Sequence, residues 1–347
     1  MIAMVMCAGE GTRLRPLTYV LPKPLVPIAN RPVLEYTLLN LKKHGIHEVV
    51  INLSSTNKII REYFKEGSAL GLKIHYSLEK NILGTAGGVK NAEHFFQTDP
   101  DPNILIVSGD NLTDINFSKF IKFHKEKKAV GSIAVTQVDS RFEYGVTLLK
   151  KESRIEKFIE KPSWGDLFSN FVNTGIYLFN KEVLREIPKN KFYDFGHQLL
   201  PKLLLEKKSL YGFKFNEFWT DIGTLSEYRR AQAIVLDKKI ETRPKGKEIR
   251  PGIWVGKTTK LPRSIKLESP CSIGEHCVIE ENAKIGSHTF IGNHCKIGQK
   301  SVILQSILWD GSRVSNRVKL EDCIVTTERV IPPDISISGG LVLDEKI

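Results

Sequence analysis

The feature that most constrains the fold of this chain is a six-residue repeat towards its C-terminal end. Between residues 261 and 303 every sixth position is leucine or isoleucine, and a small residue recurs four positions after most of them. A strict period of six is typical of a parallel β-helix, in which three hexads form a triangular coil and inward aliphatic side chains stack from coil to coil. The aliphatic positions are Leu261, Leu267, Ile273, Ile279, Ile285, Ile291, Ile297 and Ile303, followed after a register slip near Ser306 by Leu308, Val314 and Leu320.

Cysteine and histidine residues within the repeats suggest other roles, which their spacing disfavours. Cys277 and Cys295 lie 18 residues apart, one full coil, so we expect them to stack inside as small core residues. The chain has five cysteines and no CxxC pair, which argues against a disulfide scaffold and a structural zinc site. His276, His288 and His294 invite an acyltransferase interpretation. Nine or ten hexads form only about three coils, short for an acyl-donor groove, so we expect these histidines at surface turns.

The first two thirds of the chain have a different texture, in which strand-like and helix-like segments alternate. This alternation predicts βαβ units and an α/β domain with a mostly parallel sheet. We therefore expect a first domain over residues 1–236, a Lys-, Arg-, Pro- and Gly-rich linker over 237–260, and the β-helix over 261–347. The predicted strands are Ile2–Met6, Val49–Leu53, Leu72–Tyr76 and Ile104–Ser108, and the predicted helices are Arg31–His44, Lys58–Phe64 and Ala86–Phe96.

Composition and charge narrow the class of protein. No apolar run approaches the roughly 20 residues that span a bilayer, which disfavours an integral membrane protein. Met1–Cys7 is apolar without a basic leader, so it predicts a buried strand rather than a signal peptide, and we expect a cytoplasmic location. The net charge of +12 suits anionic partners such as nucleotides and sugar phosphates. The basic residues are scattered, so most of them are expected to be solvated surface.

A Gly-rich loop follows the first predicted strand and carries the strongest chemical signal. The dinucleotide fingerprint GxGxxG fails because Leu14 stands at its third glycine, and the P-loop pattern is absent. The remaining interpretation is a loop whose backbone N–H groups approach a triphosphate, with Arg13 behind it. Lys23 follows between two prolines, which restrict the backbone and hold its ammonium group in place. The loop residues expected to bind the nucleotide are Ala8, Gly9, Gly11, Thr12 and Arg13.

Taken together, these motifs resemble the sugar-phosphate nucleotidyltransferases, also called NDP-sugar pyrophosphorylases. The run GEGTRLRPLT…PKPLVPI is similar to that family's first motifs, and its later motifs match in order up to about residue 235. One departure is Ala8-Gly9, where many members carry two glycines. The resemblance implies a Rossmann-like nucleotidyltransferase domain followed, as in some members, by a left-handed β-helix of hexapeptide repeats. The later matching segments are Leu83–Gly87, Gly109-Asp110, Tyr144-Gly145, Phe158–Pro162, Asn173–Tyr177 and Trp219–Thr224.

The resemblance also implies the roles of individual residues. The reaction is attack by a sugar-1-phosphate oxygen on the α-phosphorus of a nucleoside triphosphate, which expels pyrophosphate. Arg13 and Lys23 would contact the phosphates, and Asp110 and Asp221 would hold Mg²⁺ through hard oxygen ligands. The nucleotide-binding set adds Gly84, Thr85, Gly109 and Asp110. The sugar-phosphate set is Tyr144, Gly145, Glu160, Lys161, Asn173 and Thr174.

Substrate specificity is the point that the sequence leaves most open. Gly84–Gly87 resembles the loop of mannose-1-phosphate guanylyltransferases, which favours GTP and mannose-1-phosphate. The alternatives within the class are guanylyl, thymidylyl or uridylyl transfer to heptose-1-phosphate or glucose-1-phosphate. From other classes, a catalytically silent regulatory homologue and a bifunctional enzyme with an acetyltransferase tail are disfavoured by the intact site residues and the short β-helix.

We expect the β-helix to join subunits into a homo-oligomer and to do no chemistry of its own. Because every site residue precedes residue 235, truncation near Lys260 is expected to leave some catalysis. No nucleic-acid or membrane partner is expected.

Overall fold

The computed structural model describes residues 1–55, 57–138, 144–163 and 169–343, so the last four positions of the predicted repeat domain lie outside it. Backbone contacts group the chain into two units. The first unit contains Met1–Glu10 and Thr37–Asp221, and the second contains Gly11–Tyr36 and Ile222–Ile347. The domain boundaries expected from the sequence, at residues 236 and 260, stay a prediction.

The first unit is built on a nine-stranded sheet with a parallel core. Ala3–Met6 pairs in parallel with Glu48–Ser54 on one side and with Asn103–Ser108 on the other, and Lys73–Glu79 extends the parallel part. These apolar strands confirm the expected α/β sheet. Beyond this core the sheet turns antiparallel around the long strand Phe171–Asn180. The remaining strands are Gly131–Gln137, Val146–Leu149, Ile155–Ile159 and Leu210–Lys214.

Helices cover this sheet and supply the other half of its core. The buried face of the sheet packs on apolar helix residues such as Val89, Phe96 and Phe195. The helix expected over Ala86–Phe96 is interrupted at Ala92, so two shorter helices stand in its place. The helices of the unit are Ile59–Phe64, Gly84–Asn91, Glu93–Gln97, Phe117–Glu126, the π-helical segment Phe195–Leu199 and Leu200–Leu205, with 3₁₀ turns at Ser68–Leu70, Lys151–Ser153 and Lys181–Glu186.

The second unit starts with short turns and a hairpin and continues through a long helix. The hairpin pairs Pro27–Ile28 with Arg31–Pro32, and its turn residues Ala29 and Asn30 have φ of 45° and 64°. A capping box, in which Thr224 and Glu227 satisfy each other's backbone N–H groups, begins the helix Leu225–Leu236. The other helical segments are Thr12–Leu14, Leu17–Val20, Lys23–Leu25 and the helix Val33–Lys43, which runs from this unit into the first.

The repeats form a left-handed β-helix with three strand faces. Successive strands of one face are 18 residues apart, as in Cys271 with Thr289, until the slip shortens the step to 17, as in Phe290 with Ile307. The inward aliphatics are buried together with the small residues, which confirms the hexad pattern. The strands are Lys247–Arg250, Ile253–Val255, Lys266–Leu267, Cys271–Ile273, Val278–Ile279, Lys284–Ile285, Thr289–Ile291, Lys296–Ile297, Val302–Leu304, Ile307–Leu308, Arg313–Val314, Lys319–Val325, Val330–Ile331 and Ser336–Val342.

The β-helix is longer than about three coils. On one face six strands stack, from Ile253–Val255 through to the end of Ser336–Val342. The outer turns were missed because their sequence is polar and Pro-rich, so it lacks the hexad signal. Cys277 and Cys295 are buried, and His276, His288 and His294 lie at turns with positive φ, as expected. Among the described residues, no helix is long and apolar enough to cross a membrane.

Candidate active site

Two aspartates are brought together by a small two-stranded sheet at the end of a central parallel strand. Asp110 follows strand Asn103–Ser108, and the next residue, Asn111, begins a strand that pairs antiparallel with Trp219–Asp221. Asn111 is the direct partner of Asp221 in this pairing, so the two carboxyl-bearing positions adjoin. Ser108 donates a hydrogen bond to Asp110 Oδ1 at 2.6 Å. Gly109 is required in this turn, because a Cβ there would lie 2.3 Å from Cys7 Sγ.

The carbonyl of Thr174 ties this aspartate pair to the sugar-phosphate residues expected from the sequence. Asn111 Nδ2 and Trp219 Nε1 both donate to Thr174 O, at 2.7 and 3.2 Å. Asn173 precedes Thr174 in the chain. The Asn173 Nδ2 donates to the Tyr177 hydroxyl oxygen at 2.7 Å, and the Asn173 backbone N–H donates to Gly145 O at 2.7 Å.

The Tyr144 ring meets the Trp219 ring edge-on, with centroids 5.3 Å apart. Tyr144, Gly145, Asn173 and Thr174 therefore form one connected wall.

Glu160 lies in a tight slot between two glycines. A Cβ on Gly145 would lie 2.7 Å from Glu160 Oε2, and one on Gly196 only 2.3 Å from it. Burial raises the pKa of the Glu160 carboxyl, and the nearby charge of Asp194 raises that pKa further. The adjoining Lys161 is exposed, with φ of 47°. Glu160 is thus half-buried, and its carboxylate occupies space that a side chain at residue 145 or 196 would otherwise fill.

The loop that opens the helix Gly84–Asn91 is anchored to the start of the π-helical segment. Thr85 Oγ1 donates to Asp194 Oδ2 at 2.7 Å and accepts from Phe195 N–H at 2.8 Å. The N–H of Gly87 donates to Tyr193 O at 2.9 Å. Gly84 has φ of 74°, and a Cβ there would lie 2.7 Å from the same carbonyl. The loop is held against the Tyr193 backbone by a close approach that only glycine permits at residue 84.

A buried hydrogen-bond chain links the end of the first strand to the same loop. Cys7 N–H donates to Asn52 Oδ1 at 2.8 Å, and Asn52 Nδ2 donates to Glu79 Oε1 at 2.6 Å. Glu79 Oε2 then accepts from Leu83 N–H at 3.0 Å. Gly88 makes room for this chain, since a Cβ there would lie 2.5 Å from Glu79. The two expected nucleotide segments of this unit, beginning at Ala8 and at Gly84, therefore share a rigid buried support.

In the second unit, the structure brings Gly11 and Lys23 into contact. Gly11 has φ of 64° and its missing Cβ would lie 3.0 Å from Lys23 Cβ. Its carbonyl accepts from Thr18 Oγ1 at 3.0 Å and from Leu14 N–H at 3.1 Å. The 3₁₀ turn Thr12–Leu14 leaves Arg13 exposed, whereas Lys23 is 7% exposed. The expected phosphate loop thus folds back on its lysine.

Sequence reasoning missed four residues of these arrangements: Asn52, Glu79, Asp194 and Gly196. Asp194 carries a signal that could have been used, because an Asp that precedes an apolar periodic run is typical of a helix N-cap, and its Oδ1 accepts from the Gly196 and His197 N–H groups. Asn52 and Glu79 carry no comparable signal, since each is a single polar residue at a strand end. In the described part of the chain, no cluster of three or more His, Cys, Asp or Glu side chains is arranged to hold a metal ion. The candidate metal ligands remain the two aspartates expected from the sequence, Asp110 and Asp221.

Comparisons with known proteins identify the family of this chain. Residues 2–238 match the nucleotidyl transferase family, and residues 250–347 match the LbH domain of the EIF2B epsilon subunit. The chain is 35% identical to a UTP–glucose-1-phosphate uridylyltransferase of Synechocystis sp., over 94% of this chain and 87% of the relative. It is also 35% identical to the mannose-1-phosphate guanylyltransferase catalytic subunit beta of Drosophila pseudoobscura pseudoobscura, over 99% of this chain and 93% of that relative.

A solved structure, HddC from Yersinia pseudotuberculosis complexed with GMP-PN, shares the fold with a TM-score of 0.57 at 24% identity. The match covers 67% of this chain and 97% of the HddC chain. The family match spans well over half of the chain and includes every residue of the aspartate pair, the Glu160 slot and the two loops. On these grounds the chain belongs to the nucleotidyl transferase family.

Proposed function

We propose that this protein transfers a nucleotidyl group from a nucleoside triphosphate to a sugar-1-phosphate, and that its preferred pair is GTP and mannose-1-phosphate. The observation that carries the reaction class is the placement of Asp110 and Asp221 at adjoining positions of one small sheet, connected through Thr174 to the Glu160 side of the same unit. The choice of base is supported by the Gly84–Gly87 loop and by the similarity to the Drosophila mannose-1-phosphate guanylyltransferase subunit.

The chemistry requires cationic groups more than it requires a general base. The sugar phosphate is already an ionised nucleophile, and it must approach a triphosphate that is also negative, so the barrier is largely electrostatic repulsion. Lys23 would contact the incoming phosphate and the α-phosphate, and Arg13 would hold the β- and γ-phosphates and stabilise the departing pyrophosphate. The burial of Lys23 supports its part, because an ammonium group that has already lost most of its water needs little reorganisation when charge develops.

Asp110 and Asp221 fit a hard divalent cation. Both present carboxylate oxygens, the ligands that Mg²⁺ prefers, and two carboxylates plus substrate phosphates are a common Mg²⁺ set. When bound, Mg²⁺ would neutralise charge on the triphosphate oxygens. The chain's own contribution is to hold the two carboxylates in place, Asp110 by the Ser108 hydrogen bond and Asp221 by its strand pairing.

The sugar is expected to lie against the wall formed by Tyr144, Gly145, Asn173 and Thr174. Glu160 would accept hydrogen bonds from sugar hydroxyls, and Lys161 would contact the sugar phosphate. The two glycines beside Glu160 support this assignment, because a larger residue at either position would displace its carboxylate.

A pyrophosphate-release matrix tests the proposal. The purified full-length chain is assayed with each of GTP, ATP, UTP, CTP and dTTP against mannose-, glucose- and heptose-1-phosphate. We expect the highest kcat/KM for GTP with mannose-1-phosphate. A clear preference for another pair would overturn the substrate assignment, and no release with any pair would overturn the reaction class.

A second candidate is uridylyl transfer from UTP to glucose-1-phosphate. It is favoured by the similarity to the Synechocystis UTP–glucose-1-phosphate uridylyltransferase, which matches this chain at the same identity over nearly the same span. The UTP and glucose-1-phosphate wells of the same matrix decide between the two.

A further inference from the structure

The hairpin that follows Lys23 determines where that lysine can lie. Val26 N–H donates to Lys23 O at 3.1 Å, and Val33 N–H donates to Val26 O at 3.1 Å, which closes the base of the hairpin. The hairpin itself begins at Pro27, four residues after the lysine. Because prolines restrict the intervening backbone, a shift of the hairpin is transmitted to Lys23 rather than absorbed.

The hairpin is clamped by two side chains one turn apart on the helix Leu225–Leu236. Tyr228 O–H donates to Pro27 O at 2.7 Å, and Gln232 Nε2 donates to the same oxygen at 2.7 Å. Gln232 Oε1 accepts from Ala29 N–H at 2.9 Å. Tyr228 is fully buried and Gln232 is 2% exposed, so water does not compete for these bonds.

The β-helix contributes a third residue, Trp309, to this set of hydrogen bonds, and Gln232 Nε2 also donates to the Tyr228 oxygen at 3.1 Å. Trp309 Nε1 lies 2.9 Å from Tyr228 O–H, and the indole ring is fully buried. An indole N–H can only donate, so the Tyr228 oxygen must accept from Trp309 and give its single proton to Pro27 O. Burial raises the pKa of Tyr228, so the phenol keeps that proton. We call Trp309, Tyr228 and Gln232 the hairpin clamp.

We propose that Trp309 is a positioning residue for Lys23: the β-helix, through Tyr228 and the hairpin, holds the lysine ammonium where it meets the reacting phosphates. This inference rests on the proposed function for the role of Lys23. The physical reason is that a cation stabilises a developing phosphate charge best when its position is set in advance, and small displacements of such a group cost rate. The β-helix then contributes to catalysis without touching substrate.

The test uses two tryptophans of the same β-helix. Trp309→Phe removes the N–H that Tyr228 accepts, whereas Trp254→Phe removes an N–H that has no hydrogen-bond partner in the described part of the chain. We expect Trp309→Phe to lower kcat about fivefold, the scale of one hydrogen bond, with both KM values within about twofold of wild type. Trp254→Phe should keep the wild-type kcat. Equal losses in the two variants, or a change confined to KM, would overturn the proposal.

A double-mutant cycle guards against a simple loss of folding. Tyr228→Phe keeps the ring and removes only the hydroxyl, so it breaks the same chain of hydrogen bonds with little change in packing. Both substitutions interrupt the same chain of hydrogen bonds. The double variant Tyr228→Phe/Trp309→Phe should therefore have a kcat no lower than that of the less active single variant. Additive losses in kcat would show that the two residues act separately and would sink the inference.

A readout that needs no catalysis separates this inference from the proposed function. The rate at which an amine-acetylating reagent labels Lys23, measured by mass spectrometry against the exposed Lys122, should rise about fivefold in Trp309→Phe and stay unchanged in Trp254→Phe. An inactive wild type together with this labelling pattern would overturn the proposed function alone. An active wild type with equal Lys23 labelling in both variants would overturn the positioning role alone.

Discussion

At the scale of single residues, Glu160 lies in surroundings that change its acidity. Its carboxyl is confined by Gly145 and Gly196, and burial followed by the charge of Asp194 raises its pKa. A carboxyl whose pKa is higher in the folded than in the unfolded state binds its proton more tightly when folded. The free energy of unfolding therefore falls as pH rises from the ordinary glutamate range through the raised pKa. Ionised Glu160 thus lowers stability at neutral pH.

The first prediction follows from the raised pKa of Glu160. Glu160→Gln should raise the melting temperature at pH 7.5, and the gain should fade below pH of about 4, where the unfolded carboxyl is also protonated. The same substitution should raise KM for the sugar-1-phosphate. The measurement is thermal unfolding of both proteins from pH 4 to 8. A melting temperature that falls at pH 7.5 would contradict the account of Glu160.

The aspartate pair gives the second prediction. Asp110→Asn and Asp221→Asn should each lower kcat/KM by about a hundredfold or more, because neutral amides hold Mg²⁺ poorly. Activity should also disappear with EDTA and return with Mg²⁺. Asp114→Asn, a substitution on the same chain segment outside the proposed site, serves as the control. Wild-type rates in EDTA would remove the metal from the mechanism.

At the scale of elements, the π-helical segment Phe195–Leu199 acts as the back of the Glu160 slot. Asp194 begins it by accepting from the Gly196 and His197 N–H groups, and its other oxygen accepts from Thr85. The Asp194 carboxylate therefore joins the loop of Gly84 and Thr85 to the π-helical segment beside Glu160. This connection explains why the two segments, more than 100 residues apart in sequence, keep a common geometry.

The third prediction concerns this segment. In Gly196→Ala the added Cβ would lie 2.3 Å from the present position of Glu160 Oε2. Because the carboxylate ends a flexible side chain, it can move aside, so the melting temperature should change little. KM for the sugar-1-phosphate should rise about tenfold, equal to about 1.4 kcal/mol. The matched control is Gly340→Ala, whose Cβ would lie 3.9 Å from Ile337 Cγ2 and which should behave as wild type. An unchanged KM for Gly196→Ala would contradict the slot.

At the scale of the whole molecule, the β-helix has one covered face and others that carry exposed side chains. The outward row that includes Phe290 and Ile307 is buried. On the face of Val278–Ile279 and Val330–Ile331, by contrast, Val278 is 55% exposed and Val330 60%. Exposed aliphatic residues at both ends of one strand face support the expectation that the β-helix joins copies of the chain, and closed symmetric assemblies are the usual result.

The fourth prediction tests that expectation. The full-length protein should be larger than a monomer by light scattering, and the double variant Val278→Asp/Val330→Asp should shift the mass towards the monomer. Ile249→Asp, which changes an exposed aliphatic residue on another strand, should leave the mass unchanged. A monomeric wild type would end the assembly argument. Truncation near Lys260 is no longer a clean test, because it also removes Trp309, and we now expect it to lower kcat as well as to alter assembly.

The sequence by itself determined the parts of this protein that depend on local pattern. The hexad period predicted the β-helix because an inward aliphatic recurs once per strand in any coil, and the glycine at 11 marked a backbone turn that few other residues adopt. The same holds for the parallel core strands, whose apolar runs the sequence shows directly.

Only the tertiary structure decided which distant residues meet. The polar strand Lys247–Arg250 joins the β-helix by hydrogen bonding to Ile253–Val255, a contact that leaves no period in the sequence. Asn52 meets Glu79, and Trp309 meets Tyr228, because folding places their strand ends and helix turns side by side. A single hydrogen bond between residues 81 positions apart depends on the packing of every element between them, and that packing is a property of the folded chain rather than of any segment of it.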